Sequence, residues 1–203
     1  MELRDALTDI SEIRQQMARS QMFRGYRSLT VGFSGLIAFA AAGVQARFIA
    51  QPAAHINAYL ALWIGAAAIS ASIAGGEMIW RARRSSGELQ AQITVLAVEQ
   101  FLPCIVAGAL VTYVLYHSAP ESLWMLPGLW AILFSLGGYA SCRLLPRPMF
   151  WAAGYYLVAG LVCFGYGHQN AQPFSPWLMG FTFGCGQLLS AAILYWTLER
   201  HHA

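Results

Sequence analysis

Apolar and polar positions in this chain come in long blocks instead of alternating residue by residue. Six apolar runs, at about 29–49, 57–79, 95–116, 123–142, 149–167 and 176–197, are separated by short polar stretches. Crossing a hydrocarbon layer of roughly 30 Å takes about 20 helical residues, and each run is close to that length. Inside lipid a single run must satisfy its own backbone N–H and C=O groups, which the α-helix does. The pattern therefore predicts an all-α polytopic membrane protein. Its six transmembrane helices pair as three helical hairpins, at about 28–84, 91–147 and 149–200.

Residues 1–27 follow another rhythm. Leu3, Ala6, Ile10, Ile13, Met17 and Ser20 recur at alternating steps of three and four, the a and d positions of a heptad. Asp9 and Arg14 then fall at g and the following e, the pair that meets across a parallel two-stranded coil. The run is shorter than the three to four heptads of an established coiled coil. A helix lying on the membrane surface and entering the first span through Met22 and Phe23 is the other reading. Both make this segment a cytoplasmic amphipathic helix, with Leu3, Ile10, Ile13 and Met17 as the interaction residues. The partner would be a second copy or a cytoplasmic protein.

Composition agrees with the blocks. The chain is 58% hydrophobic and 10% charged, against about 25% charged in a typical soluble domain, so the bilayer is the expected surrounding. A net charge of +3 is too small to suggest nucleic acid. Cys104, Cys142, Cys163 and Cys185 stand singly in apolar runs, where a thiol acts as a small hydrophobe. That spacing indicates neither a disulfide framework nor a zinc cluster. No cleavage-site pattern precedes the first run, so no signal peptide is expected. The short loops leave no room for a soluble catalytic domain, and neither enzymatic activity nor a cofactor is expected.

All 12 basic residues are Arg. Arg4, Arg14, Arg19, Arg24, Arg27, Arg81, Arg83, Arg84, Arg143, Arg147 and Arg200 fall at one end of the spans and only Arg47 at the other. By the positive-inside rule both termini are cytoplasmic and the protein sits in the inner (plasma) membrane. Tryptophan favours the headgroup level. Trp63, Trp124 and Trp177 are accordingly expected to mark the outer face and Trp80, Trp151 and Trp196 the inner one.

The hairpins look duplicated. Val106-Ala107-Gly108, Leu110, Tyr113 and His117 match Val158-Ala159-Gly160, Leu161, Phe164 and His168, and each histidine is followed by Trp124 or Trp177. His55 and Trp63 continue the scheme more loosely. The even-numbered helices share small residues at helical spacing: Gly65, Ala68, Ser72 and Gly75; Gly128, Ala131, Ser135 and Gly138; Gly180, Gly184 and Ala191. Such stripes let helix backbones approach closely in lipid, either within the bundle or across an oligomer interface. Pro146 and Pro148 force a tight return between the fourth and fifth helices.

Few residues offer chemistry. Glu77, Glu99 and Gln187 are the candidates for a cation or proton path, because polar groups in a span are costly. Depth weakens that role: Glu77 is 20 residues below Asn57 and Glu99 is 18 below His117, so both fall at the cytoplasmic interface. Glu77 precedes Arg81 by four residues, the favourable order for a helical ion pair. Pro103 lacks an N–H and leaves the carbonyl of Glu99 without its helical partner. Gln187 falls near the midplane, where an interhelical hydrogen bond is the expected role.

Gly32-Phe33-Ser34-Gly35 resembles the GxSG nucleophile motif of rhomboid intramembrane proteases. His55, His117 and His168 all lie at the opposite surface, so the base that would activate Ser34 is missing. Gly32 and Gly35 read as packing residues. The three histidines occupy corresponding outer loops and are candidate metal or haem ligands if the loops converge. The leading functional reading is a non-enzymatic binding, scaffold or sensor protein working through residues 3–20, with a small permease or ion carrier and a metal- or haem-binding protein as alternatives.

Overall fold

The structure is a computed structural model that describes residues 28–84, 88–142, 145–169 and 173–200. The heptad segment with Leu3, Ile10, Ile13 and Met17 lies outside the described residues. Among the described residues six α-helices follow one another: α1 (Ser28–Phe48), α2 (Ile56–Arg84), α3 (Glu88–Ser118), α4 (Leu126–Ser141), α5 (Met149–Gln169) and α6 (Pro176–Leu194). A 3-10 segment, Pro120–Met125, leads into α4, and a π turn, Tyr195–Glu199, ends α6. No strand occurs among the described residues. Six helical stretches are long and apolar enough to cross a membrane, the fourth of them (Pro120–Ser141) by joining the 3-10 segment to α4, and this is the make-up of a multi-pass membrane protein.

Proline sets several helix starts. The 3-10 segment, α4 and α6 each have Pro in the first two positions, where the missing N–H would have had no helical partner anyway. Before α5 the chain turns on Pro146 and Pro148. Met149 donates to the Pro146 carbonyl at 2.9 Å and Trp151 to the Pro148 carbonyl at 3.0 Å, winding the first turn. This return brings α4 and α5 side by side, as the two prolines predict. The link expected at 81–90 is shorter than the sequence suggests, since α2 runs to Arg84 and α3 starts at Glu88. That stretch is rich in good helix formers and has no helix breaker before Gly87.

The strongest packing joins α1 with α6 and α4 with α5. Weaker contacts of α2 with α1, α5 with α6 and α3 with α4 complete the order α2, α1, α6, α5, α4, α3 around the bundle. The remaining seam, between α2 and α3, is scarcely packed. One core lies at the end carrying the histidines, built from Tyr59, Trp63, Leu123, Leu126, Phe174 and Met179. An aromatic set extends it along the bundle axis, with the Phe134 ring 4.6 Å from Tyr156 and 5.0 Å from Phe101. A smaller core of Val31, Ala191 and Leu194 lies towards the arginine-rich end.

Candidate functional site: the outward face of α2

The three small-residue stripes have different fates. On α4, a Cβ added at Gly128 would stand 2.8 Å from the Gly160 carbonyl oxygen, and one at Gly160 would stand 2.9 Å from that of Gly128. Farther along the same seam Gly138 meets the Cβ of Ala153 at 3.2 Å, and Ser135 donates to the Ala153 carbonyl at 2.8 Å. On α6, a Cβ at Gly180 would come within 2.8 Å of Ala42 on α1, and Gly184 accommodates the Phe39 ring. Gly32 and Gly35 face the same seam, and a Cβ added at Gly35 would lie 3.0 Å from the Gly184 carbonyl oxygen. The Gly-Phe-Ser-Gly sequence is thus a packing surface.

On α2 the same pattern is vacant. A Cβ at Gly65, Gly75 or Gly76 would meet nothing within 4 Å, and Ala68 and Ser72 are exposed. At 100° per residue, Gly65, Ala68, Ser72 and Gly75 lie on the side of the helix opposite Tyr59, Trp63, Ser70 and Glu77. Those four face inward: Tyr59 and Trp63 are buried in the core, and Ser70 and Glu77 are half-buried. The stripe therefore points away from the protein, flanked by the exposed side chains of Ile64, Ile69 and Ile79. A helix face of small and β-branched apolar residues allows close approach of another helix in lipid.

The three cation candidates, Glu77, Glu99 and Gln187, stand on three different helices, α2, α3 and α6. Glu77 accepts a hydrogen bond from Thr30 Oγ1 on α1. Arg81, its expected ion-pair partner, has a side chain outside the described set. Gln187 of α6 packs on Gly35, which is five residues from Thr30 and about 140° around α1 from it. That helix stands between Glu77 and Gln187. Glu99 is exposed on α3, in the helix that contains Pro103.

The histidines are likewise dispersed. Among the described residues no three His, Cys, Asp or Glu side chains come together to hold a metal, and His55, His117 and His168 form no such group. His117 packs on Tyr113 and Tyr116, with ring centroids at 4.5 and 5.1 Å, whereas His168 packs on Trp124 at 5.8 Å. All three are exposed.

Comparison with protein-family models, curated proteins and solved structures finds no match.

The most polar point of the core was not among the sequence candidates. Gln45, fully buried on α1, donates from Nε2 to the Phe174 carbonyl at 2.7 Å and accepts from Trp63 Nε1 at 2.7 Å. One amide thereby ties α1 to α2 and to the segment before α6. The Trp63 indole is buried in this clamp. Trp177, Trp80, Trp151 and Trp196 remain exposed, as interfacial residues should. Trp130, inside a span, donates to Thr112 Oγ1 at 2.9 Å. The signal available in the sequence was the position of Gln45 in an otherwise apolar run, eighteen residues before Trp63.

Proposed function

We propose that the protein is a non-enzymatic scaffold of the inner (plasma) membrane that assembles with a second copy of itself through the outward face of α2. The observation that carries this reading is the vacancy at Gly65, Gly75 and Gly76, set against the filled stripes of α4 and α6. In lipid, apolar side chains gain nothing by choosing a neighbour over an acyl chain, so small residues matter through the backbone approach they permit. Residues 3–20 would add a cytoplasmic contact, to the second copy or to a cytoplasmic partner, once α2 has brought two chains together. Eleven arginines against one support cytoplasmic termini.

Native mass spectrometry of gently purified protein tests the assembly. Wild type is expected as a dimer or a larger assembly. Gly65→Ile/Gly75→Ile, at positions where an added Cβ meets nothing within 4 Å in its own chain, is expected as a folded monomer. A wild-type monomer, or an unchanged assembly in the variant, would overturn the reading. Orientation has its own check. With the native cysteines removed, single cysteines at Ser86 and Asn170 should react with an impermeant reagent from opposite sides of the membrane.

A further inference from the structure

Between α5 and α6, on the lipid-facing side, runs an open slot of about 450 Å³ that is independent of the α2 face. Val158, Ala159 and Val162 of α5 form one wall, and Leu178 and Phe181 of α6 form the other. Tyr166, Ser175 and Trp177 stand at its mouth, near the histidine-bearing end. At its inner end Tyr155 donates to the Phe181 carbonyl at 2.7 Å, tying the helices together where the slot stops. Thr182 also lines it; this residue is buried, and its hydroxyl pairs with the Cys163 sulfur at 3.5 Å. That hydroxyl is thus engaged within the protein.

We propose that this slot holds one acyl chain of a phospholipid from the leaflet on the histidine-bearing side. Three features select that occupant. Among the described residues none that lines the slot is charged, so an ionic ligand would lose its solvation without compensation. The lining runs from Tyr155 to Tyr166 along α5, eleven residues or about 16 Å, and from Ser175 to Thr182 on the α6 side, seven residues or about 10 Å, so the slot keeps to about one half of the roughly 30 Å hydrocarbon thickness and takes part of one chain in one leaflet. The polar and aromatic groups, Ser175, Trp177 and Tyr166, gather at the mouth, where the glycerol and headgroup would sit; tryptophan and tyrosine favour that level. A chain in the slot is walled by two helices, whereas the ordinary lipid around α3 meets a single convex surface. It therefore exchanges more slowly than its neighbours.

The test is photolabelling in vesicles of phosphatidylcholine containing a small fraction of the same lipid with a diazirine on one acyl chain, read by mass spectrometry of the labelled peptides. Wild type should carry several-fold more label on Val158, Val162, Leu178 and Phe181 than on the exposed α3 residues Leu102, Val106 and Leu110. Ala159→Trp, which fills the slot, should remove that excess and leave the α3 labelling unchanged. Val162→Trp, at a more exposed wall position, serves if the first variant does not fold. Equal labelling of both regions in wild type, or an excess that survives filling of the slot, would overturn the proposal.

Discussion

The seam between α4 and α5 and the outward face of α2 are written in almost the same residues and do opposite things. Gly128, Ala131, Ser135 and Gly138 repeat the spacing of Gly65, Ala68, Ser72 and Gly75. The first set is pressed against a neighbouring backbone, with Ala131 and Ser135 completely buried. The second meets nothing. The contrast teaches that a small-residue stripe in lipid encodes permission for close approach, while the partner is decided by what the rest of the chain delivers. Pro146 and Pro148 deliver α5 to α4. On α2 the inward side is already occupied by Tyr59, Trp63 and Glu77, which turns the stripe outward.

Substitutions should widen this contrast. The largest effect is expected at Gly160, where a new Cβ would lie 2.7 Å from Ile132 Cγ1 and 2.9 Å from the Gly128 carbonyl. Gly160→Leu should prevent α4 and α5 from seating, at a cost of about 3 kcal/mol or more. Denaturant titration in detergent should show a large loss of stability or no folded protein. The same change at Gly65 should leave the unfolding midpoint of the dissociated chain unaltered. Equal sensitivity at both glycines would break the comparison.

A smaller loss is expected at the clamp that anchors α2. Gln45→Leu leaves the Trp63 N–H and the Phe174 carbonyl buried and unpaired, which should cost about 2–3 kcal/mol. The blue shift of Trp63 fluorescence, read in a protein where it is the sole tryptophan, should relax towards that of a wetter indole. Smaller still is Thr30→Val, which removes the hydrogen bond to Glu77 at the other end of the α1/α2 contact. Interhelical bonds of this kind contribute about 0.6–1.7 kcal/mol. A melting-temperature change larger than that of Gln45→Leu would show that Glu77, and not Gln45, fixes α2.

The spans were legible because hydropathy is a local property: apart from the end of α2 and the start of α3, which run on through the polar link, the observed helices begin and end within a few residues of the apolar runs, and the α4/α5 turn was announced by its two prolines. The clamp was not legible, since Gln45 and Phe174 are 129 residues apart and nothing local to either position names the other. The direction of the α2 stripe was hidden for a related reason. Its pattern is that of the packed stripes, and only the three-dimensional position of Tyr59 and Trp63 shows which side faces in. For the histidines the sequence left convergence open, because equal positions in three hairpins do not by themselves place three imidazoles at one point.

Disulfide trapping in native membranes tests the central claim most directly. In a chain with Cys104, Cys142, Cys163 and Cys185 replaced, a cysteine at Ala68 or Ser72 should give a covalent dimer on mild oxidation. One at the exposed α3 positions Val106 or Leu110 should not. Dimer formed equally at all four positions, or at none of them, would contradict the assignment of α2 as the assembly face.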